Sequence, residues 1–281
     1  MVMKGFLNRF EIKNKICVVT GAAGLIGKRH AQAILEGNGI PILLDISGER
    51  LRDMKQRLLE DYGRDAVVRC FEVDITKRVE LEKICEELTE EFGKVDVLIN
   101  NAANNPKVES ESKNMKATRF NDFSLELWNE DIAVGLTGAF LCAQVFGKIM
   151  EERGEGVILN ISSDYGIIAP DQRIYRKKGL EDEQQIVKPV SYSVVKHGII
   201  GLTKYLATYW AGKGIRVNSL CPASLYNGQD EEFVKNVSNL IPMGRMSYSD
   251  EYVCTILYMI SDASSYMTGA TVVLDGGRTI W

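Results

Sequence analysis

Tyr192 and Lys196 stand four residues apart in the run Ser191-Tyr192-Ser193-Val194-Val195-Lys196. On a helix that spacing makes them neighbours on one face. A free phenol titrates at about pH 10, and an ammonium a few ångström away favours the phenolate. The pair could therefore work as a tyrosine acid/base with its pKa drawn down toward working pH. By itself the spacing is common, and a solvated tyrosine and lysine on an outer helix face would read the same way. Its weight comes from the glycines, carboxylates and serines that precede it along the chain.

The residues that would position the pair fall into a regular alternation. The apolar spacing of Val190 to Trp210 predicts one helix carrying both side chains. Ile16-Cys17-Val18-Val19-Thr20 reads as a strand buried on both faces, followed at once by Gly21-Ala22-Ala23-Gly24-Leu25-Ile26-Gly27 and a helix to Glu36. Strand, glycine turn and helix in that order give the glycines a role. Gly21 permits the tight turn, Gly24 lets backbone approach a pyrophosphate, and Gly27 allows close packing of helix on strand. The helix N-terminus offers free N–H groups to phosphate oxygens. A second strand, Ile40 to Leu44, ends at Asp45, about the ~20-residue offset of an acid that grips ribose hydroxyls. A carboxylate there repels a 2′-phosphate, so NAD is expected over NADP. Lys28 and Arg29 lie close enough in sequence to soften that repulsion, or are ordinary helix-surface charges.

The alternation continues through helices at Gly48–Tyr62 and Lys77–Glu91 and strands at Ala66–Val73 and Val95–Ile99, with Asp74 just after the third strand. Asn100-Asn101-Ala102-Ala103 closes the fourth strand at the edge where ligands bind in such sheets. A long helix, Leu125 to Glu152, is weakened locally by Gly135 and Gly138. The strand Gly156–Ile161 delivers Ser162 and Ser163 to the same edge. Further strands are read at Gly214–Leu220 and Thr271–Leu274, with a short helix at Asp230–Asn239 and another at Asp250–Ile260. The fold class is α/β: a single domain with a doubly wound parallel sheet of about seven strands and helices on both faces. Three stretches, about 104–122, 164–189 and 226–246, read as insertions covering the substrate. In the second, Arg173, Arg176, Lys177 and Lys178 could bind an anionic group.

Composition narrows the function classes. The chain has 281 residues, 45% hydrophobic and 26% charged, with a formal net charge of -4, which gives no basic surface for nucleic acid. Six cysteines lie without a C-x-x-C pair and only two histidines, His30 and His197, are present, so reduced thiols and no metal site are expected. With no apolar run of ~18 residues and no signal-peptide core, a cytoplasmic protein with no membrane association is expected.

Taken in order, the glycine turn from Thr20 to Gly27, Asp74, Asn100 to Ala103, Ser162-Ser163, Tyr192/Lys196 and Asp275-Gly276-Gly277 resemble the short-chain dehydrogenase/reductase family in its single-domain branch. The resemblance runs from about Lys15 to Gly277. It implies Tyr192 as general acid/base and Ser163 as hydrogen-bond partner of the substrate oxygen. Lys196 would hold the nicotinamide ribose and lower the Tyr192 pKa. Cofactor contacts are implied at Gly21, Gly24, Leu25, Ile26 and Gly27, at Asp45, at Asp74 and Ile75, along Asn101, Ala102 and Ala103, at Tyr192 and Lys196, and at Pro222 and Leu225. Relatives of this family commonly form homodimers or homotetramers.

Departures from the family pattern also stand out. Leu25 occupies a usual glycine position, giving the spacing of the two-domain sugar-nucleotide branch. Gly135 aligns with the family's catalytic asparagine, so a water in a local distortion at Gly135 would have to complete the proton relay, unless glycine only makes room for a bulky neighbour. Pro222-Ala223 replaces Pro-Gly, and the interval from Ser163 to Tyr192 is long. Lys188 to Tyr192, Tyr205 to Trp210 and the tail Asp275 to Trp281 resemble members tied to flagellin or surface-glycan modification. The expected function is NAD-dependent interconversion of a secondary alcohol and a ketone on a small molecule, such as a sugar or sugar phosphate of an amino-sugar or surface-glycan pathway. The rival readings are a sugar-nucleotide epimerase or dehydratase, and an NAD-binding sensor without turnover.

Overall fold

The computed structural model describes residues 5–104 and 118–281. Seven strands form one parallel sheet: β1 (Ile16–Thr20), β2 (Ile40–Asp45), β3 (Arg69–Glu72), β4 (Val97–Asn100), β5 (Gly156–Ile161), β6 (Ile215–Pro222) and β7 (Thr271–Leu274). Their order across the sheet is β3-β2-β1-β4-β5-β6-β7. β1 therefore pairs on both sides, Val19 lying against Leu43 of β2 and Ile99 of β4. Strand order reverses there, and the crevice it opens at the carboxyl ends is where ligands bind in such sheets.

Period-two alternation divides the strand residues between two cores. Cys17, Val19, Leu43, Val97 and Leu159 join one cluster with Ile34, Leu51, Leu58 and Ile256. These come from α1 (Gly27–Glu36), α2 (Gly48–Tyr62) and α8 (Val253–Ile260). Ile16, Val18, Ile42, Leu98 and Ile158 join the other with Leu81, Phe146 and Trp210. Those belong to α3 (Arg78–Phe92), α5 (Gly138–Arg153) and α6 (Val190–Trp210). Because both faces are covered, β1, β4 and β5 are apolar at nearly every position.

The differences from expectation have local causes. The third strand is shorter than Ala66–Val73 because it is an edge strand with one partner, β2. The predicted Leu125–Glu152 helix divides into α4 (Leu125–Ile132), a π-helical turn at Ala133–Thr137, and α5. An 18-residue window within Leu125–Arg153 has a mean hydropathy of 1.6 and meets the length and composition of a membrane span, against the expectation of no such run. The second half of Leu125–Arg153 packs on β4, β5 and α3 as a core helix. Of the first insertion, residues 105–117 lie outside the described residues. The segment 164–189 makes three short 3-10 turns, at Asp164–Gly166, Gln172–Tyr175 and Asp182–Gln184. It meets the 226–246 segment, which carries α7 (Glu231–Ser238), through a small apolar cluster of Ile174, Val237, Ile241 and Met246. The second and third insertions thus form one packed unit.

His30, on α1, is buried at 0% exposure beneath the glycine turn. Its Nε2 meets Asn101 Oδ1 at 3.1 Å, while Nδ1 is buried without a partner. Asn101 Nδ2 donates to the carbonyls of Thr20 and Gly21, so Oδ1 is the acceptor and His30 is the Nε2–H tautomer. A proton on Nδ1 would have nothing to bond, and burial lowers the imidazole pKa to about 4. The unfolded chain takes up that proton near pH 6.5 and the folded one does not, so this stability is intact above pH 6.5 and is lost as pH falls toward 4. The expected loss is about 3 kcal/mol, since each tenfold weakening of proton binding corresponds to about 1.4 kcal/mol. Denaturant midpoints at pH 7 and pH 4.5 should show a shallower pH dependence for His30→Gln than for the wild type; equal slopes would refute the assignment.

Candidate active site

The end of β5 and the first turns of α6 are clasped to each other. Ser162 Oγ donates to the Lys196 carbonyl at 2.7 Å, and Lys196 Nζ donates to the Ile161 carbonyl at 2.9 Å. Gly166 is what allows this approach, because a Cβ there would lie 2.3 Å from Ser162 Oγ and 2.7 Å from the Lys196 carbonyl oxygen. A second tie, from Ser191 Oγ to the buried Asp131 carboxylate of α4, fixes the N-terminal turn of α6. The clasp places Ser163, 5% exposed, and the Tyr192 phenol in one cleft at the carboxyl edge of the sheet. Ser163, Tyr192 and Lys196 are thus brought together as the sequence predicts.

The electrostatics of this cleft differ from the expectation. Burial pushes the Tyr192 phenol up to about 12; the Ser163 hydroxyl pulls it down, and Asp164 and Tyr165 add to the rise. Lys196 does not pull the phenol toward neutrality here. Its ammonium is bonded to the Ile161 carbonyl, sits 5.6 Å from the Tyr192 ring centroid, and is itself lowered to about 8, mainly by burial and then by Lys188. The resting phenol is therefore protonated, a proton donor. Lys188, which the motifs did not single out for a role, lies with Nζ 3.8 Å from the Tyr192 ring centroid. By contrast, Arg173 is paired on the surface with Asp171 and Arg176 with Asp182, while Lys177 and Lys178 are exposed. The two arginines of the run are thus paired with their own neighbours, and among the described residues the cation closest to the Tyr192 ring is Lys188, which the run did not include.

The glycine turn fits a dinucleotide pyrophosphate. Gly21 has φ +60°, and a Cβ there would lie 2.7 Å from the Ala102 Cα. A Cβ at Gly27 would lie 1.9 Å from the Ala22 carbonyl oxygen, which forces a glycine. α1 has Ile26 at its N-cap, with no side-chain cap and no acid in its first turn, whereas α2, α4 and α7 are capped by Ser47, Ser124 and Asp230. Its N–H groups are left for an anion. Leu25, in place of the family glycine, is half exposed at the turn.

Asp45 Oδ2 accepts from the Ala23 N–H at 3.0 Å, and Oδ1 from the Ser47 N–H at 3.0 Å. Arg50, another residue the sequence motifs do not mark, reaches Asp45 at 3.4 Å. Lys28 pairs with Asp61 and Arg29 bonds Ser249, so neither offsets the Asp45 charge. Asp74 is turned back on Thr76, Ile75 packs against Gly138, and Ala103 follows Ala102 at the sheet edge. The Asn101 side chain braces Thr20 and Gly21 from beneath, and Leu225 is buried in the core that packs against α1, α2 and α8. Pro222 ends β6 at the same edge.

Gly135 lies in the π-helical turn, where the Gly138 N–H reaches back five residues to the Ala133 carbonyl. The local distortion expected there is present, and such turns often mark functional sites. The space a side chain would need is filled by Val195, whose Cγ1 would be 2.5 Å from a Cβ at Gly135. Glycine therefore makes room for the residue preceding Lys196. Gly135→Ala, stabilising by about 0.5–1 kcal/mol at an ordinary mid-helix site, should here destabilise by about 1–3 kcal/mol through overpacking. Turnover should fall as α6 is displaced. Adding Val195→Ala should restore both melting temperature and kcat; a stabilised, fully active Gly135→Ala protein would refute the packing account.

Comparison with known proteins gives a consistent result. Residues 21–279 match the family described as enoyl-(acyl carrier protein) reductase. The chain is 33% identical over 288 residues, covering all of both chains, to an NAD-dependent glycerol dehydrogenase of Listeria innocua. It is 33% identical over 278 residues, covering 96% of this chain and 94% of the other, to an NADP-dependent mannitol dehydrogenase of Alternaria alternata. Among solved structures, a short-chain dehydrogenase of Leptospira borgpetersenii with bound NAD+ superposes with a TM-score of 0.77 at 30% identity, covering 99% of this chain and 97% of that one. With the glycine turn, the reversed strand order and the serine, tyrosine and lysine gathered at one edge, this chain belongs to the short-chain dehydrogenase/reductase family of NAD(P)-dependent oxidoreductases.

Proposed function

We propose that the protein interconverts a secondary hydroxyl and a ketone on a polyol or sugar, with NAD preferred over NADP. The observation that carries this reading is the convergence of Ser163, the Tyr192 phenol and Lys196 in one cleft at the carboxyl edge of the sheet that also bears the uncapped glycine turn. Bound at that turn, a nicotinamide dinucleotide supplies the acceptor or donor of hydride. The chain's residues do the rest. Ser163 orients the substrate oxygen; in reduction Tyr192 gives its proton to the ketone oxygen, and in oxidation its phenolate, formed by prior loss of that proton, takes the proton from the hydroxyl. Lys196 braces the end of β5 through its bond to the Ile161 carbonyl.

A glycerol dehydrogenase and a mannitol dehydrogenase among the relatives support a polyhydroxylated substrate. A sugar of an amino-sugar or surface-glycan pathway presents the same secondary hydroxyl. Cofactor preference rests on Asp45, whose carboxylate would accept ribose hydroxyls and repel a 2′-phosphate. We also propose a cytoplasmic homodimer or homotetramer. Exposed Phe140 of α5 and Tyr205 and Tyr209 of α6 support an apolar face between copies.

Tyr192→Phe removes the titrating hydroxyl and leaves the ring. Turnover should fall at least ~10²-fold, with NAD affinity unchanged by titration; near-full turnover where chemistry limits the rate would sink the acid/base role. Asp45→Ala should narrow the ratio of kcat/KM for NAD over NADP about 10-fold, the equivalent of about 1.4 kcal/mol. A wild-type protein that prefers NADP would overturn the cofactor assignment.

A further inference from the structure

Arg278, on a 3-10 turn after β7, is 4% exposed, and its Nε donates to Asp164 Oδ2 at 3.1 Å. Asp164 is 3% exposed. Two charges taken out of water are weakly stabilising at best, and an apolar pair of similar shape commonly serves a fold as well. The other Asp164 bonds show what this pair does besides filling space. Oδ1 accepts from Ser163 Oγ at 2.7 Å and from the Tyr165 N–H at 2.9 Å, and that same N–H lies 3.2 Å from Ser163 Oγ. The carboxylate is thus bonded on one side to the serine facing Tyr192 and on the other to a buried guanidinium. Burial raises the Asp164 carboxyl pKa, while Ser163, Arg278 and the Tyr165 N–H favour the charged form.

The arginine is itself held firmly. Asp275 accepts from the N–H groups of Gly277 and Thr279 at 2.8 and 2.7 Å, and Gly276 and Gly277 take left-handed conformations at φ 64° and 91°. Trp281 Nε1 donates to the Leu240 carbonyl at 3.0 Å, tying the end of the turn to the third insertion.

We propose that Asp164, anchored by Arg278, is the positioning residue of Ser163, and that the turn after β7 is by this route part of the reaction centre. The proposal rests on the role assigned to Ser163 above. The carboxylate holds the serine hydroxyl in one rotamer, and the Tyr165 N–H keeps the oxygen in place when the hydrogen turns toward a substrate oxygen. A second path from Arg278 exists. Its guanidinium lies 5.8 Å from the Tyr165 ring centroid, and that ring is edge-on to Tyr192 with centroids 6.3 Å apart. The test must separate the two.

A double-mutant cycle against Ser163→Ala does so, read as single-turnover oxidation of glycerol or mannitol, whichever the wild type oxidises faster, so that slow variants stay measurable. Asp164→Asn and Arg278→Gln should each lower the rate about 10- to 100-fold, as a misplaced group does, with NAD affinity unchanged. In the Ser163→Ala background neither should lower the rate further. Arg278→Lys, which keeps the charge, should stay near the wild-type rate. If a single change leaves a charge buried alone and the protein fails to fold, Asp164→Asn/Arg278→Gln removes both charges and is read in the same cycle. Full activity of the neutral variants, or losses that persist undiminished in Ser163→Ala, would overturn the proposal, the second result assigning the effect to Tyr165 or to the fold. Ser163→Ala alone reads the serine's own role, so full turnover there would overturn the catalytic reading itself.

Discussion

The bond pair between the end of β5 and α6 governs the site. Ser162 Oγ reaches the Lys196 carbonyl and Lys196 Nζ reaches back to the Ile161 carbonyl, so strand and helix are each donor and acceptor to the other. An ammonium buried this deeply is shifted toward its neutral form, which is why Lys196 falls to about 8. The approach also explains features that look unrelated along the chain. Gly166 is small because Ser162 and the Lys196 carbonyl crowd it, and Gly135 is small because α6 carries Val195 against it. Asp131, one turn earlier on α4, secures the same helix through Ser191. The π-helical turn lies where α4 and α5 must pass α6 at this close range.

The parts of the fold that were legible in the sequence are those written locally. Short, nearly continuous apolar runs located the strands, and Gly21 to Gly27 announced its turn because backbone geometry there demands glycine. The convergence of Ser163, Tyr192 and Lys196 followed from the strand–helix order. Asp164, Arg278, Asp131 and Arg50 were not legible in the same way. Each matters through a partner or a placement that no periodicity encodes, Asp164 and Arg278 being separated by 114 positions.

The electrostatic expectations failed for a related reason. Helix spacing placed Lys196 beside Tyr192, yet a backbone carbonyl from another element captured the ammonium. The surface arginines were different: Asp171 stands two residues before Arg173 and Asp182 six after Arg176, a signal of local pairing present in the sequence itself. Composition gave the sign and density of charge on the second insertion. It could not say that the insertion would spend its charges internally while packing on α7 through Ile174.

The buried Asp164–Arg278 pair also bears on how the protein is made. β7 is an edge strand added after six others, and Arg278 follows it. During synthesis, at about 5–20 residues per second, the β1-to-β6 sheet can assemble while Asp164 still lacks its counter-charge. A chain interrupted before Arg278 would bury a lone carboxylate beside Ser163, a fault of about 3–5 kcal/mol, against a total stability of about 5–15 kcal/mol. Such fragments would open readily and expose apolar strands to proteases. The ion pair therefore makes the charge balance beside Ser163 depend on a segment that follows the last strand of the sheet.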